Sequence, residues 1–238
     1  PVKRRVDLLR CLRCGHEPLT RQGPIARCSD CGRGYPLRRS GLVDFLPESE
    51  DDDRRSSRLI NPLHWLRKTQ EQYRQRLAPP DTDLHRIMAK HQGGMLLHLG
   101  CGTGLILDEL ARHSWRLRIG AGRKLQRLLR AHRRTSAEHS LLLLRCSPYR
   151  LPLRDKTIDC LLLHNPFVEM KDPQAAMHEV LRVMNLQGQL ICRVEKGQEE
   201  ALQTLLSANG FISYRVGVWW VSMRVKNTQE VSFRDQAL

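Results

Sequence analysis

Apolar residues follow two different rhythms along this chain. From residue 94 onward, short continuous apolar runs alternate with segments in which apolar residues recur every three or four positions. The runs are 95–99 (MLLHL), 116–120, 140–145 (SLLLLR), 158–164 (IDCLLLH) and 189–194. Runs of that length read as strands buried on both faces. The segments between and after them, 104–112, 123–134, 173–184 and 197–208, read as helices. In the second helix Leu125, Leu128, Leu129 and His132 share one side. The third has Asp172 as its cap and Pro173 in its first turn, and the fourth stops at Gly210. Two further runs, FISYRVG and VWWVSMRVK, predict a pair of closing strands in which Trp219 and Trp220 point to opposite faces, one packed and one exposed. Repeated strand–helix units predict an α/β fold: a mostly parallel sheet, helices on both faces and an antiparallel hairpin at one edge.

Before residue 94 the pattern changes. Residues 1–48 hold two C-x2-C pairs, Cys11/Cys14 and Cys28/Cys31, with thirteen residues between the pairs. Two such knuckles can place four thiolates tetrahedrally around one zinc. Gly15 and Gly32 follow the second cysteine of each pair and permit the tight turn that aims backbone N–H groups at the sulfurs. Four sulfur ligands leave no open position, so the expected metal is structural. A unit this small also needs such a staple, because its apolar core is slight. A charged linker is expected over 49–60 and a helical segment over 61–92. That segment divides into helices at 61–78 and 81–92 around Pro79 and Pro80, and Trp65, Leu66 and Tyr73 form an apolar stripe. The α/β domain is expected over 93–227 and a tail over 228–238.

Charge adds a partner to this picture. The 238 residues carry a net charge of +15. That excess points to a polyanion, with RNA or a ribonucleoprotein first. It concentrates in 111–134, which has nine Lys or Arg and no Asp or Glu. Arg123, Lys124, Arg127, Arg130, Arg133 and Arg134 are the candidate nucleic-acid contacts. Arg123, Arg127, Arg130 and Arg134 share one side of the predicted helix, where like charges repel. Set against phosphates, that repulsion becomes salt-sensitive binding. No apolar run approaches the roughly 20 residues of a membrane span, and no secretory signal is visible. With this cysteine usage, a cytoplasmic or organellar-matrix location is expected rather than secretion.

The stretch 95–104, MLLHLGCGTG, is a buried strand entering a glycine turn and then a helix. Gly100, Gly102 and Gly104 let the backbone approach a ligand closely. Dinucleotide sites use similar turns, and Arg123 and Lys124 would suit a phosphate, so that class stays open on the turn alone. LLHLGCGTG resembles the first motif of the class I S-adenosylmethionine-dependent methyltransferases, type 11-like. YRLPLRDKTIDCLLLHNPF, KDPQAAMHEVLRVMNLQGQLICRV and SANGFISYRV are similar to their later motifs, in the same order. The resemblance implies a Rossmann-like seven-stranded methyltransferase sheet, with S-adenosylmethionine held at Gly100, Gly102 and Gly104. It also marks the three places where the family has cofactor-facing carboxylates. Here they fall at His98, at Gly122 or Ala121, and at Ser147, so none of the three acids is present.

Asn165-Pro166-Phe167 resembles part of the Asn-Pro-Pro-Tyr/Phe motif of amino-group methyltransferases. It makes Asn165 and its neighbour His164 the candidate catalytic residues, with His164 also near the cofactor. VDLLRCLRCGHEPL and ARCSDCGRGYPLRRSGLVDFL resemble the zinc-ribbon proteins that partner methyltransferases, which implies protein contacts through the ribbon. Two functions are consistent with these features. One is a methyltransferase acting on, or bound to, RNA or a ribonucleoprotein. The other is a catalytically inactive methyltransferase-fold protein, a pseudoenzyme, serving as a binding or assembly factor in a larger complex such as a ribosomal one. A small-molecule methyltransferase would leave the basic helix without a role.

Overall fold

The computed structural model describes residues 2–38, 41–46, 81–91, 93–135 and 140–224. The expected linker, the helix over 61–78 with Trp65, Leu66 and Tyr73, and the tail lie outside the described residues.

The α/β unit is built on strands β5 (Met95–Leu99), β6 (Leu117–Gly122), β7 (Leu141–Arg145), β8 (Ile158–His164), β9 (Met184–Arg193), β10 (Phe211–Val216) and β11 (Trp219–Arg224). Its helices are α1 (Thr82–Met88), α2 (Leu105–Glu109), α3 (Leu125–Thr135), α4 (Pro166–Glu169), α5 (Pro173–Val183) and α6 (Glu199–Ala208). In space the strands run β10-β11-β9-β8-β5-β6-β7, parallel from β9 to β7, with β10 and β11 antiparallel at the edge. These are the seven strands expected from the sequence. An eighth, β4 (Val43–Asp44), pairs in parallel with β7 at the other edge. Among the described residues no helix is long and apolar enough to cross a membrane.

The central strands β5, β7 and β8 are largely apolar because helices cover both faces. Leu96, Cys160, Leu162 and Ile191 face α1, α2 and α3. Leu97, Leu161, Leu163 and Leu190 face the side that carries α5 and α6. The same coverage corrects the expectation for the last hairpin. Trp219 packs with Leu84 and Ile87 of α1, and Trp220 with Leu202 and Leu206 of α6, so both indoles are buried.

Two boundaries also differ from expectation. The helix over 104–112 tightens into a 3₁₀ turn at Leu110–Arg112. Strand β9 begins at Met184, so Leu186-Gln187-Gly188 lies within a strand. Gly188 is needed there, because a Cβ would sit 3.0 Å from the Ile158 carbonyl oxygen. Asp159 ties the strand starts together by accepting from the Met95 N–H at 2.7 Å and from the Asn185 amide.

The cysteine-bearing segment forms a three-stranded antiparallel sheet, β1 (Thr20–Gln22), β2 (Ile25–Arg27) and β3 (Gly34–Pro36). It does not stand apart from the α/β unit. Leu9 bridges to Leu153, the Arg10 N–H donates to the Pro152 carbonyl, and the Arg154 N–H donates to that of Leu8. Val6, Leu9, Leu19, Tyr35 and Phe45 belong to the same continuous core as Leu142, Leu144 and Leu153. Arg10–Asp155 at 2.9 Å and Arg154–Glu17 at 3.1 Å line the rim of this seam.

Candidate cofactor cleft and metal centre

The four thiols of Cys11, Cys14, Cys28 and Cys31 converge, with their sulfurs all within 4.8 Å of one another. Cys11–Cys31 are 3.6 Å apart and Cys14–Cys28 3.5 Å. A tetrahedral zinc with bonds of about 2.3 Å needs sulfurs about 3.8 Å apart, so the cluster fits that ion. Each knuckle turns as expected: the Gly15 N–H donates to the Cys11 carbonyl and the Gly32 N–H to that of Cys28, with both glycines at positive φ. Burial alone would raise the Cys11 thiol. The Tyr35 hydroxyl and the Cys14 and Arg13 N–H groups outweigh it and bring the thiol down to about 6. That favours a thiolate at Cys11. At Cys14 the His16 N–H pulls the thiol down, but desolvation and the neighbouring sulfurs of Cys28, Cys31 and Cys11 outweigh it and hold the thiol up. The thiols of Cys146, Cys160 and Cys192 are instead raised by burial and stay inert.

The second site lies at the carboxyl ends of the parallel strands. The turn after β5 has Gly100, Gly102 and Gly104 all at positive φ, and it is held to β6 by the Gly100 and Cys101 N–H groups donating to the Ala121 carbonyl. The glycines then do different work. A Cβ on Gly104 would stand 2.7 Å from that of Ala131, so this glycine lets α3 pack against the turn. A Cβ on Gly102 would meet nothing within 4 Å, so the space above this residue is open to a ligand. That open space is where the resemblance of the glycine turn would put S-adenosylmethionine.

His98 lies in β5 at the floor of the turn. It is 2% exposed, and neither ring nitrogen has a hydrogen-bond partner among the described residues. Burial and, secondarily, the facing His164 push its pKa down to about 3, so it is a neutral imidazole where the family has an acid. His164 and Asn165 end β8. Asn165 takes a left-handed conformation (φ 51°) as the cap of α4, and its N–H donates to the Arg193 carbonyl at 2.7 Å. Burial and the charge of Arg193 lower the His164 pKa.

Three residues join this end of the cleft: Arg193, which the sequence did not mark, with Trp219 and with Asp81, the expected cap of the helix that begins there. Arg193, the cross-strand neighbour of His164, lies over the Trp219 ring at 5.7 Å. Asp81 caps α1 by accepting from the Leu84 N–H and also accepts from the Trp219 indole N–H at 2.8 Å. Arg193 carries the one signal available in sequence, a cation directly after the apolar run 190–192.

The other end of the cleft lies at β6 and β7. Gly122 has no side chain to offer, and its carbonyl accepts from the Cys146 N–H. The Ser147 hydroxyl accepts from the Tyr149 N–H. Neither residue is an acid, although the resemblance would put carboxylates at these positions. Arg145 instead reaches across, donating through Nε to the Arg123 carbonyl at 3.1 Å and through Nη1 to Asp44 at 3.2 Å. Asp44 also takes Arg38 at 2.8 Å. The candidate nucleic-acid residues line α3 and the turn before it. Arg123, Lys124, Arg130 and Arg133 are exposed, and Arg127 and Arg134 half-buried, on the side away from Leu125 and Leu128.

Residues 97–192 match the methyltransferase domain family. Among solved structures, the chain is similar to a SAM-dependent methyltransferase from Aquifex aeolicus. The two share 18% identity at a TM-score of 0.55, covering 69% of this chain and 97% of that one. It is also similar to a SAM-dependent methyltransferase from Thermotoga maritima, with 20% identity and a TM-score of 0.50, covering 65% and 93%. At these identities the likeness is one of fold: the α/β unit has the class I methyltransferase fold. No curated protein matches the chain.

Proposed function

We propose that this chain, with its methyltransferase domain over residues 97–192, is an S-adenosylmethionine-dependent methyltransferase acting on RNA or a ribonucleoprotein. The open space above Gly102 carries the cofactor half of the proposal. It lies at the carboxyl end of β5, beside the β8 end that presents His164 and Asn165. Gly100 and Gly102 would admit the cofactor, His98 would lie beneath it, and the Gly122 and Ser147 positions would face its nucleoside. When bound, the cofactor supplies an electrophilic methyl group. The chain's part is to hold the acceptor in line, which by itself can supply much of the rate. The exposed cations of α3 support the RNA half.

A second reading, a binding or assembly factor that does not methylate, draws on the missing carboxylates at His98, Gly122 and Ser147. A hydrogen bond to a charged acceptor contributes about 1.5–3 kcal/mol. Loss of the ribose acid alone would therefore weaken cofactor binding roughly 10- to 100-fold.

Calorimetric titration of the full, zinc-loaded, nucleic-acid-free chain with S-adenosylmethionine separates the two. The methyltransferase reading expects a dissociation constant on the order of 1–100 μM, lost in Gly102→Leu while the far-UV spectrum is kept. No binding up to millimolar would leave the assembly-factor reading. For the RNA half, the slope of log affinity against log salt should fall by roughly one in Arg130→Gln.

A further inference from the structure

The cleft has a cationic end that the glycine turn does not explain. Arg193 is the last residue of β9, in register with His164 on β8, and its side chain is 43% exposed. It forms an ion pair with Asp81 at 4.0 Å. Both oxygens of that carboxylate are already engaged, one by the Leu84 N–H at 3.0 Å and the other by the Trp219 indole at 2.8 Å. The Arg193 guanidinium makes no side-chain hydrogen bond among the described residues and rests on the face of Trp219. His164 flanks the same indole, with ring centroids 6.2 Å apart, and its side chain also makes no hydrogen bond among the described residues.

A forked donor held over a buried ring, with no side-chain hydrogen bond among the described residues, is prepared for a planar or tetrahedral oxyanion. The neutral imidazole beside it can add one hydrogen bond without competing for the anion's charge. Arg193 also lies one strand beyond Asn165 and two beyond the glycine turn, away from the nucleoside end.

We propose that Arg193, with His164, forms an oxyanion site at this end of the cleft, filled by a carboxylate or phosphate group of the bound ligand. It rests on the cleft being a ligand site, but it does not require methyl transfer. Two sources share this chemistry: a phosphate of the acceptor, or the carboxylate of the cofactor's own amino-acid portion.

The test uses the full zinc-loaded chain. Inorganic phosphate is titrated while the Trp219 indole N–H is followed by NMR, its signal identified by its loss in Trp219→Phe. A saturable shift is expected in the natural chain. In Arg193→Gln the affinity should fall about 10- to 100-fold, with partial recovery in Arg193→Lys. Calorimetry with S-adenosylhomocysteine and with decarboxylated S-adenosylmethionine assigns the source. A loss in Arg193→Gln confined to the carboxylated compound points to the cofactor. Loss of the phosphate response with unchanged S-adenosylhomocysteine affinity points to the acceptor. If Arg193→Gln changes neither the phosphate response nor either affinity, the proposal is overturned. Failure of the natural chain to bind S-adenosylhomocysteine, with an Arg193-dependent phosphate response intact, would overturn the methyltransferase reading and leave this one standing.

Discussion

The seam between the cysteine unit and β7 and the cleft at the carboxyl ends of β5, β8 and β9 are both built from buried polar groups, but they treat them oppositely. In the seam, Asp44 is 3% exposed and carries Arg145, Arg38 and the Leu46 N–H on its two oxygens. Arg145, fully buried, splits its donors between that carboxylate and the Arg123 carbonyl. In the cleft, His98 is equally buried and has no hydrogen bond at either nitrogen. A buried polar group without a partner costs about 1–3 kcal/mol. A fold that satisfies every demand in one region and leaves one open in another has finished the first as structure. In the proposed reading, a bound ligand completes the second. Arg193, a cation of the cleft with no side-chain hydrogen bond among the described residues, follows the same logic at the surface.

If the seam is structure, its loss should weigh most. Removing zinc by chelation, or by Cys28→Ser, should unfold the ribbon and detach β4 from β7. We expect a cost of several kcal/mol, on the order of a 10 °C fall in melting temperature for a chain of this size, read by thermal circular dichroism with and without added zinc. An unchanged melt would mean that the ribbon is an appendage and that the comparison is misplaced.

Next in size is Asp44→Ala, which strands Arg145 in the core. Breaking a buried pair from one side costs about 3–5 kcal/mol. The remaining bond to the Arg123 carbonyl should keep the loss near the lower end. Urea denaturation measures it, and a change below about 1 kcal/mol, typical of surface pairs, would show that the pair is not sealed from water.

The smallest effect sharpens the cleft side. His98→Leu removes an unsatisfied group and should leave stability unchanged or raise it by about 1 kcal/mol. It should also remove an acid sensitivity. His98 has a folded pKa of about 3 against 6.5 when unfolded. The unfolded chain therefore binds the extra proton first, and stability falls as pH drops from 6.5 toward 3. The slope is at most about 1.4 kcal/mol per pH unit. Urea midpoints between pH 7 and 5 should fall less steeply in His98→Leu than in the natural chain. An equal slope would show that the imidazole is solvated or paired in solution, and that this part of the cleft is closed.

Local signals were legible because each is stated within a few residues. Period and run length placed β5 and β8 at the residues where they are found. Matched cysteine spacing announced four converging sulfurs. Three alternate glycines announced a positive-φ turn, although sequence alone gave no way to tell that Gly104 serves helix packing while Gly102 leaves open space. The alternation rule failed at Trp219 and Trp220, since it counts faces but cannot know that both are covered.

Legible without the fold are the strands and helices, the sulfur cluster, the glycine turn and the excess of positive charge. These follow from covalent spacing, backbone sterics and composition. Only the tertiary structure decided that Val43–Asp44 would become an eighth strand. It alone brought together Asp44 with Arg145, 101 positions apart, and Asp81 with Trp219, 138 apart. Such pairings leave no period in the chain. They exist because burial makes an unpaired charge or a bare strand edge expensive, and only the folded sheet determines which groups are buried and which partner lies in reach.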